Sequence, residues 1–448
     1  MKTFMSPFVA VSAILFVSSA VAQTAPSTST TPVAPKSDSL TGTTFSTPTS
    51  TANQPTVLTG AYDLAGIGRR DTTQEAILTA PVAGVPYRFE NGVFVFGSAL
   101  AGLGHNDNVQ GLSVGGASSV VLSVQPRLVA ELKKSGDRYT LLYSGNFTRF
   151  TNSSADNFNN HELTVAGDNY FSSRSRLGWS AGYIASTDPR GSTDRVTSAE
   201  PDRWHAPTLK ALYAYGAKEA QGRVELEGSY QNKRYDNNRS VTVASDVDIT
   251  GLAGRFFYRV MPRTSAVAEI RRIDSNYSLA TSLNDNVDTR FLVGVTWDAT
   301  AKTSGSFKVG HLRKNFSSVG RSDGSGSTWE GSIRWAPLTY SVVDVITGRS
   351  LADSTGVGDY ITSTGATVVW NHNWTSYVSS RVTLSNTKAD FANAGRVDRT
   401  TGAGLGVFYG FGSRYRVGLE LAYTNRNSNQ DAFDFKRNTT FVSLEGNL

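Results

Sequence analysis

The feature that most constrains this chain is a hydrophobic period of two, sustained over long segments. In Arg138–Phe147, the residues Tyr139, Leu141, Tyr143 and Phe147 alternate with Arg138, Thr140, Ser144 and Asn146, and Leu142 is the exception. Arg290–Ala299 sets Phe291, Val293, Val295 and Trp297 against Arg290, Gly294, Thr296 and Asp298. Arg414–Thr424 sets Tyr415, Val417, Leu419, Leu421 and Tyr423 against Arg414, Arg416, Gly418 and Glu420. Successive side chains of a strand point to opposite faces, so each segment has one apolar and one polar face. Segments of roughly 10–16 residues are longer than the five or six usual in soluble sheets and long enough to cross a bilayer at a tilt.

Two kinds of connection alternate between the segments. One is short: Lys134-Ser135-Gly136-Asp137, Met261-Pro262-Arg263, Trp335-Ala336-Pro337-Leu338 and Gly412-Ser413. The other is longer and polar, near 105–116, 152–160, 189–203, 236–243, 279–287, 318–326, 353–358, 391–396 and 427–434. Short turns at one end and long loops at the other mark an outer-membrane barrel. Strands are expected from about 91, 117, 138, 161, 175, 204, 221, 244, 264, 287, 303, 327, 339, 359, 374, 397, 414 and 434. The fold expected is all-β: a transmembrane antiparallel up-and-down barrel of about eighteen strands, with sixteen as the nearest alternative and both ends periplasmic.

Lipid leaves no water to satisfy a free N–H or C=O, so a membrane sheet must close on itself. The apolar face is then the outside and the polar face the lumen. Trp179, Tyr183, Tyr230, Trp329, Trp335, Trp370 and Trp374 suit interfacial aromatic girdles. Parity sends Arg223, Glu225, Glu227, Arg255, Arg259, Glu269 and Arg271 into the lumen, followed by Arg290, Asp298, Glu330, Arg334, Arg381, Arg414, Arg416 and Glu420. An Arg or Lys facing lipid near the midplane costs about 2–4 kcal/mol, which supports the inward assignment. These side chains either brace the wall as ion-pair ladders or line a path for a polar solute.

Composition fits one large barrel. Charged residues make up 18% of the 448, mean hydropathy is −0.26, and 42 residues are Gly. The negative average excludes a multispan helical protein but not a barrel, whose polar lumen offsets its apolar outside. Met1–Ala22 reads as a signal peptide, with Lys2, an apolar Phe8–Val17 and Ala20-Val21-Ala22 before the cut. Residues 23–60 are a Ser/Thr/Pro-rich spacer with too little apolar surface to fold, 61–90 a periplasmic segment or plug, and 91–448 the barrel. Export and a barrel together place the chain in the outer membrane of a Gram-negative bacterium, in contact with its lipid.

Zero Cys excludes disulfides, thiolate metal sites and a thiol nucleophile. A net charge of +6 on 448 residues is too weak for a nucleic-acid binder. There is no nucleophile-elbow, zincin, phosphate-loop or dinucleotide motif, so neither an enzyme nor a cofactor is expected. His105, His161, His205, His311 and His372 have no metal-ligand spacing, and His205 beside Asp202 reads as a solvated loop histidine. Asn106-Asp107-Asn108 and Asn284-Asp285-Asn286 read as turns rather than calcium loops.

Several short motifs resemble the putative β-barrel porin 2 family. They are Leu103-Gly104-His105-Asn106-Asp107-Asn108-Val109, Tyr230-Gln231-Asn232-Lys233-Arg234-Tyr235-Asp236 and Tyr258-Arg259-Val260-Met261-Pro262-Arg263-Thr264. Trp335-Ala336-Pro337, Arg396-Val397-Asp398 in a late loop, and Tyr423-Thr424-Asn425-Arg426-Asn427-Ser428 complete the set. The resemblance spans 91–448 and implies an outer-membrane channel that serves as the exit for an exopolysaccharide or capsular polysaccharide. It implies as partners a periplasmic polysaccharide-export protein and an inner-membrane copolymerase. The alternative is a general or substrate-specific diffusion porin for small polar solutes. The chain ends in Leu448, where an aromatic residue usually closes an assembly signal.

Overall fold

The computed structural model describes residues 87–447, except 196–197, 218, 299–301 and 413. The expected signal peptide, the spacer and most of the 61–90 segment lie outside the described residues.

Eighteen strands form the wall among the described residues: β1 (Val93–Asn106), β2 (Ser119–Lys134), β3 (Asp137–Phe150), β4 (Phe158–Ser172), β5 (Ser175–Asp188) and β6 (Asp202–Tyr215) come first. Then come β7 (Gly222–Tyr235), β8 (Val247–Met261), β9 (Thr264–Tyr277), β10 (Asn286–Trp297), β11 (Thr303–Phe316) and β12 (Gly324–Leu338). The last are β13 (Ser341–Asp353), β14 (Tyr360–Asn373), β15 (Val378–Phe391), β16 (Arg396–Phe411), β17 (Tyr415–Ser428) and β18 (Phe435–Asn447). Each pairs antiparallel with its sequence neighbour, and β18 closes on β1 from Thr439↔Asn106 to Asn447↔Ser98. Tyr87–Arg88 adds a two-residue strand to the start of β1. The expected strand starts hold closely, the largest departure being the strand expected from 374, which begins at Val378.

The expected alternation becomes an inside and an outside. Val293, Leu384, Leu405, Leu421 and Val442 are exposed on the outer face. Their strand neighbours Leu292, Thr387, Thr424 and Ser443 are buried inside. Leu142, the break in the β3 pattern, stays inward and packs with Val129 and Phe96. At the short-turn end the outer face carries exposed Tyr170, Tyr213, Tyr258, Tyr409, Tyr415, Trp335 and Trp374, a ring of amphipathic side chains at one interface.

Four placements correct the sequence reading. Trp335–Leu338 is not a turn but the end of β12, where the register shifts between Trp335 and Leu338. Pro337 has no N–H for the ladder, and an irregular strand end tolerates it. Arg414 is exposed in the turn before β17, and Asp298 lies just past β10, so neither is a strand residue facing the lumen. Arg396-Val397-Asp398 is not a loop segment but the start of β16.

Candidate functional site

The inward side chains of β6 to β12 form one continuous charge lattice, and cross-strand register creates it. Arg255 lies directly opposite both Glu225 on β7 and Glu269 on β9, and Lys308 lies opposite Glu330. Glu269 is fully buried and meets three cations: Lys308 at 2.7 Å, Arg271 Nε at 2.8 Å and Arg255 Nε at 3.4 Å. Glu330 takes Lys308 at 2.7 Å and Arg271 at 2.8 Å. Glu227 bridges Lys210 at 2.9 Å to Arg255 at 2.8 Å, and Arg223 pairs with Glu225 at 3.1 Å. Arg271 sits opposite Arg290, a like-charge neighbour that would be unfavourable alone. Asp288, 2.9 Å from Arg290, and Glu330 compensate it.

Eight of the sequence candidates thus share one network: Arg223, Glu225, Glu227, Arg255, Glu269, Arg271, Arg290 and Glu330. Lys210, Lys308 and Asp288 belong to it too, and the same parity that placed Glu330 inward could have found them. Arg381, Arg416 and Glu420 face inward on another part of the wall. The Arg381 and Arg416 guanidinium groups stand 5.1 and 4.9 Å from the ring centre of Phe408, and Arg416 pairs with Glu445. Arg334 pairs with Asp344 at 3.5 Å close to the short-turn end, where its side chain is 42% exposed. Arg259 is half-buried near the end of β8.

A second feature was invisible in the sequence. The connection between β5 and β6, expected only as a long polar loop, runs inward. Arg190 to Arg195 are all buried. The Asp194 carboxylate accepts the backbone N–H groups of Thr355 and Gly356, each at 2.8 Å, and the hydroxyl of Ser354 at 3.2 Å. Thr355 Oγ1 also donates to it. Those donors sit in the loop between β13 and β14, far around the ring from β5. Arg396 donates to the Asp194 carbonyl at 2.7 Å, Arg426 to the Gly191 carbonyl at 3.0 Å and Arg437 to the Arg190 carbonyl at 3.4 Å.

These arginines are themselves held. Arg396 is fully buried, pairs with Asp398 and lies 3.3 Å from the Phe433 ring centre. Arg426 also donates to the Phe433 carbonyl at 2.6 Å. Arg437 donates to the Asn108 carbonyl at 2.7 Å. At the near side, Arg190 makes a two-pronged pair with Asp156, and Arg195 pairs with Asp202 and donates to Ser245 Oγ at 2.7 Å. Gly191, at φ +76°, rests against Gly111, at φ +62°; a Cβ on Gly191 would lie 3.0 Å from the Gly111 Cα. The segment therefore spans the long-loop mouth as a strap tied at both ends.

The remaining polar loop residues do local work. His205 and Asp202 lie on β6, but His205 meets Asp236 at 2.8 Å while Asp202 serves Arg195. Asn106 Oδ1 accepts the Asn108 N–H at 2.9 Å, and Asp285 Oδ1 accepts the Tyr277 N–H at 2.7 Å, both turn and loop-closing bonds.

A closed wall with an apolar outside and a charged inside defines an outer-membrane β-barrel. The family model described as putative beta-barrel porin 2 matches residues 89–447, and the chain belongs to that family. It is thus an outer-membrane β-barrel porin. No curated protein matches the chain. Among solved structures, Pseudomonas aeruginosa OccK2 (OpdF) is similar at 11% identity, covering 81% of this chain and 99% of that one, with a TM-score of 0.45. A BenF-like porin from Pseudomonas fluorescens Pf-5 matches at 11% identity over 80% of this chain and 99% of that one, TM-score 0.46. Pseudomonas aeruginosa OpdK with vanillate matches at 11% identity over 79% and 99%, TM-score 0.44. At these values the likeness carries no argument about substrate.

Proposed function

We propose that this barrel is a passive, size-restricted channel for small polar solutes, gated in width by the buried strap at its outer mouth. The strap carries the reading. A lumen meant for continuous passage of a polymer needs an unobstructed bore, whereas Arg190–Arg195 lies buried across the mouth and is bonded to walls on both sides. The exit conduit implied by the sequence resemblance would need every one of those bonds broken. A diffusion porin needs only a gap beside the strap.

The charge lattice suits the same role. Glu269 and Glu330 are compensated by Arg255, Arg271 and Lys308, so that wall is polar without a strong net field. A compensated wall lowers the barrier for polar solutes of either sign more than it selects one of them. The lumen residues named above are the proposed lining, and the strap is the proposed size filter. Purified barrel in planar bilayers should give stable single-channel conductance, and liposomes carrying it should swell in small sugars and amino acids but not in oligosaccharides. Folded barrel without conductance would refute the channel. A gene deletion that abolishes surface polymer while leaving its synthesis intact would refute the solute reading in favour of the conduit.

A further inference from the structure

The first three strands present an inner surface unlike the charge lattice. From the long-loop ends of β1, β2 and β3 down to mid-strand, their inward positions hold only amides, hydroxyls, glycines and apolar side chains. The first charge on that surface is Arg127. It lies directly opposite Ser98 on β1 and Ser144 on β3, so one row reads hydroxyl, guanidinium, hydroxyl. All three residues are half-buried. Among the described residues, no ion pair or hydrogen bond occupies the guanidinium or either hydroxyl. Glu162 and Glu445 are the acids whose charge reaches Arg127, but neither stands at ion-pair distance, and Glu445 is paired with Arg416. Farther toward the short-turn end the inward arginines are paired, Arg138 with Glu131 and Arg176 with Asp168.

A guanidinium is a planar fork of N–H donors that fits a carboxylate at two points. Directly opposed residues have Cβ atoms about 5 Å apart, so both flanking hydroxyls stand where they can donate to the same carboxylate. The next inward row toward the short-turn end is apolar. Phe96, Val129 and Leu142 lie opposite one another there and pack together. Leu142, the exception to the β3 alternation, belongs to this patch. Val129 and Leu142 are buried and Phe96 is half-buried, so the Phe96 ring is the part open to the lumen. Two residues along a strand span about 7 Å, a distance that a short branched acid covers from its carboxylate to its methyl groups. Buried Glu162 lies opposite Ser144, and its charge weighs against a second negative charge on the solute.

We infer that Arg127, Ser98 and Ser144, with Phe96 beneath them, form a lumen subsite for a small monocarboxylate with an apolar body. The inference rests on the solute-channel reading and gives it a substrate class. The compensated lattice of β6–β12 admits either sign, and the Arg127 row supplies selection on a separate stretch of wall.

The test uses the folded barrel in detergent and four probes: 3-methylbutanoate, its neutral amide 3-methylbutanamide, acetate and chloride. Binding is read by saturation-transfer NMR, which needs no conduction, and ion selectivity by reversal potentials in planar bilayers. The amide should bind at least about tenfold more weakly than 3-methylbutanoate, because it loses the charge-assisted bonds. Each buried CH2 counts about fourfold, so acetate should bind at least about fourfold more weakly. Chloride at equal concentration should not displace the acid. Arg127→Gln, its fold certified by heat-dependent gel mobility, should weaken 3-methylbutanoate at least about tenfold, and Arg127→Lys should fall between. Phe96→Ala should bring 3-methylbutanoate down toward acetate and leave acetate unchanged. If Arg127→Gln misfolds, the probe series on the native barrel still decides. Equal binding of acid and amide, or native binding by folded Arg127→Gln, overturns the site. Acetate as tight as 3-methylbutanoate overturns the apolar half, and displacement by chloride overturns the carboxylate assignment. A barrel that conducts but does not bind the acid refutes the subsite alone. One that binds the acid but does not conduct supports the subsite and refutes the channel reading.

Discussion

Asp194→Ala should release the strap. The Asp194 carboxylate takes two backbone N–H groups at 2.8 Å and two hydroxyls from the β13–β14 loop. Hydrogen bonds to a charged acceptor contribute roughly 1.5–3 kcal/mol each, so losing the two N–H bonds alone should remove about 3–6 kcal/mol from docking. At about 1.4 kcal/mol per factor of ten, the undocked population rises by a factor of roughly 100 to 20,000. The chain contains no Cys, so Thr193→Cys introduces a single thiol, and Thr193 is 8% exposed. Maleimide labelling of that thiol should be slow in the otherwise native barrel. It should accelerate in the Asp194→Ala background, up to the rate of a free exposed thiol. Asp194→Asn keeps an acceptor for the N–H groups without the charge, so its rate should fall between. Single-channel conductance should rise in the same order. Labelling rates within twofold across the three proteins would refute the claim that Asp194 holds the strap. Faster labelling without a conductance change would leave the strap released but not limiting, and would refute its role as the size filter.

Other perturbations test the wall and the strap separately. Glu269→Gln leaves Arg255, Arg271 and Lys308 short of a shared anion. It should lower the barrel's stability by about 3–5 kcal/mol in urea unfolding and move the reversal potential toward anions; an unchanged midpoint would contradict the lattice as a brace. Gly191→Val drives a side chain into Gly111 at a backbone angle that favours glycine, and should give the same rapid Thr193→Cys labelling as Asp194→Ala. Val293→Arg, at an outward position 59% exposed to the membrane side, should reduce folding stability in lipid by about 2–4 kcal/mol. The same substitution at the lumen-facing Ser306 should be tolerated in refolding yield, and equal losses at both positions would contradict the assignment of faces.

The wall was legible in the sequence because lipid imposes the same test at every outward position. Each strand had to show its apolar face independently, so β3, β10 and β17 could be read without their partners. Errors arose where that test stops. Arg414 continues the alternation of β17 by one residue beyond the last ladder contact, and only pairing shows that the strand begins at Tyr415. Pro337 reads as a turn because proline breaks ladders, yet at an irregular strand end there is no ladder to break.

The strap failed to show for a deeper reason. Arg190–Arg195 has no periodicity, since it is neither helix nor strand, and its docking is decided by groups distant in sequence. Arg396, Arg426 and Arg437 bind its backbone carbonyls, and Thr355 and Gly356 offer backbone N–H groups, so most of the recognition uses atoms that every residue shares. What sequence does carry is indirect. A wide water-filled mouth gives no reason for three inward arginines at the long-loop ends of β16, β17 and β18 with only one acidic neighbour, Asp398, on those strands at that level. Buried guanidinium groups demand acceptors, and when side-chain carboxylates are too few the acceptors must be main-chain carbonyls brought there by a loop. An excess of inward cations over inward acids at one end of a barrel is therefore evidence for a chain segment folded into that end.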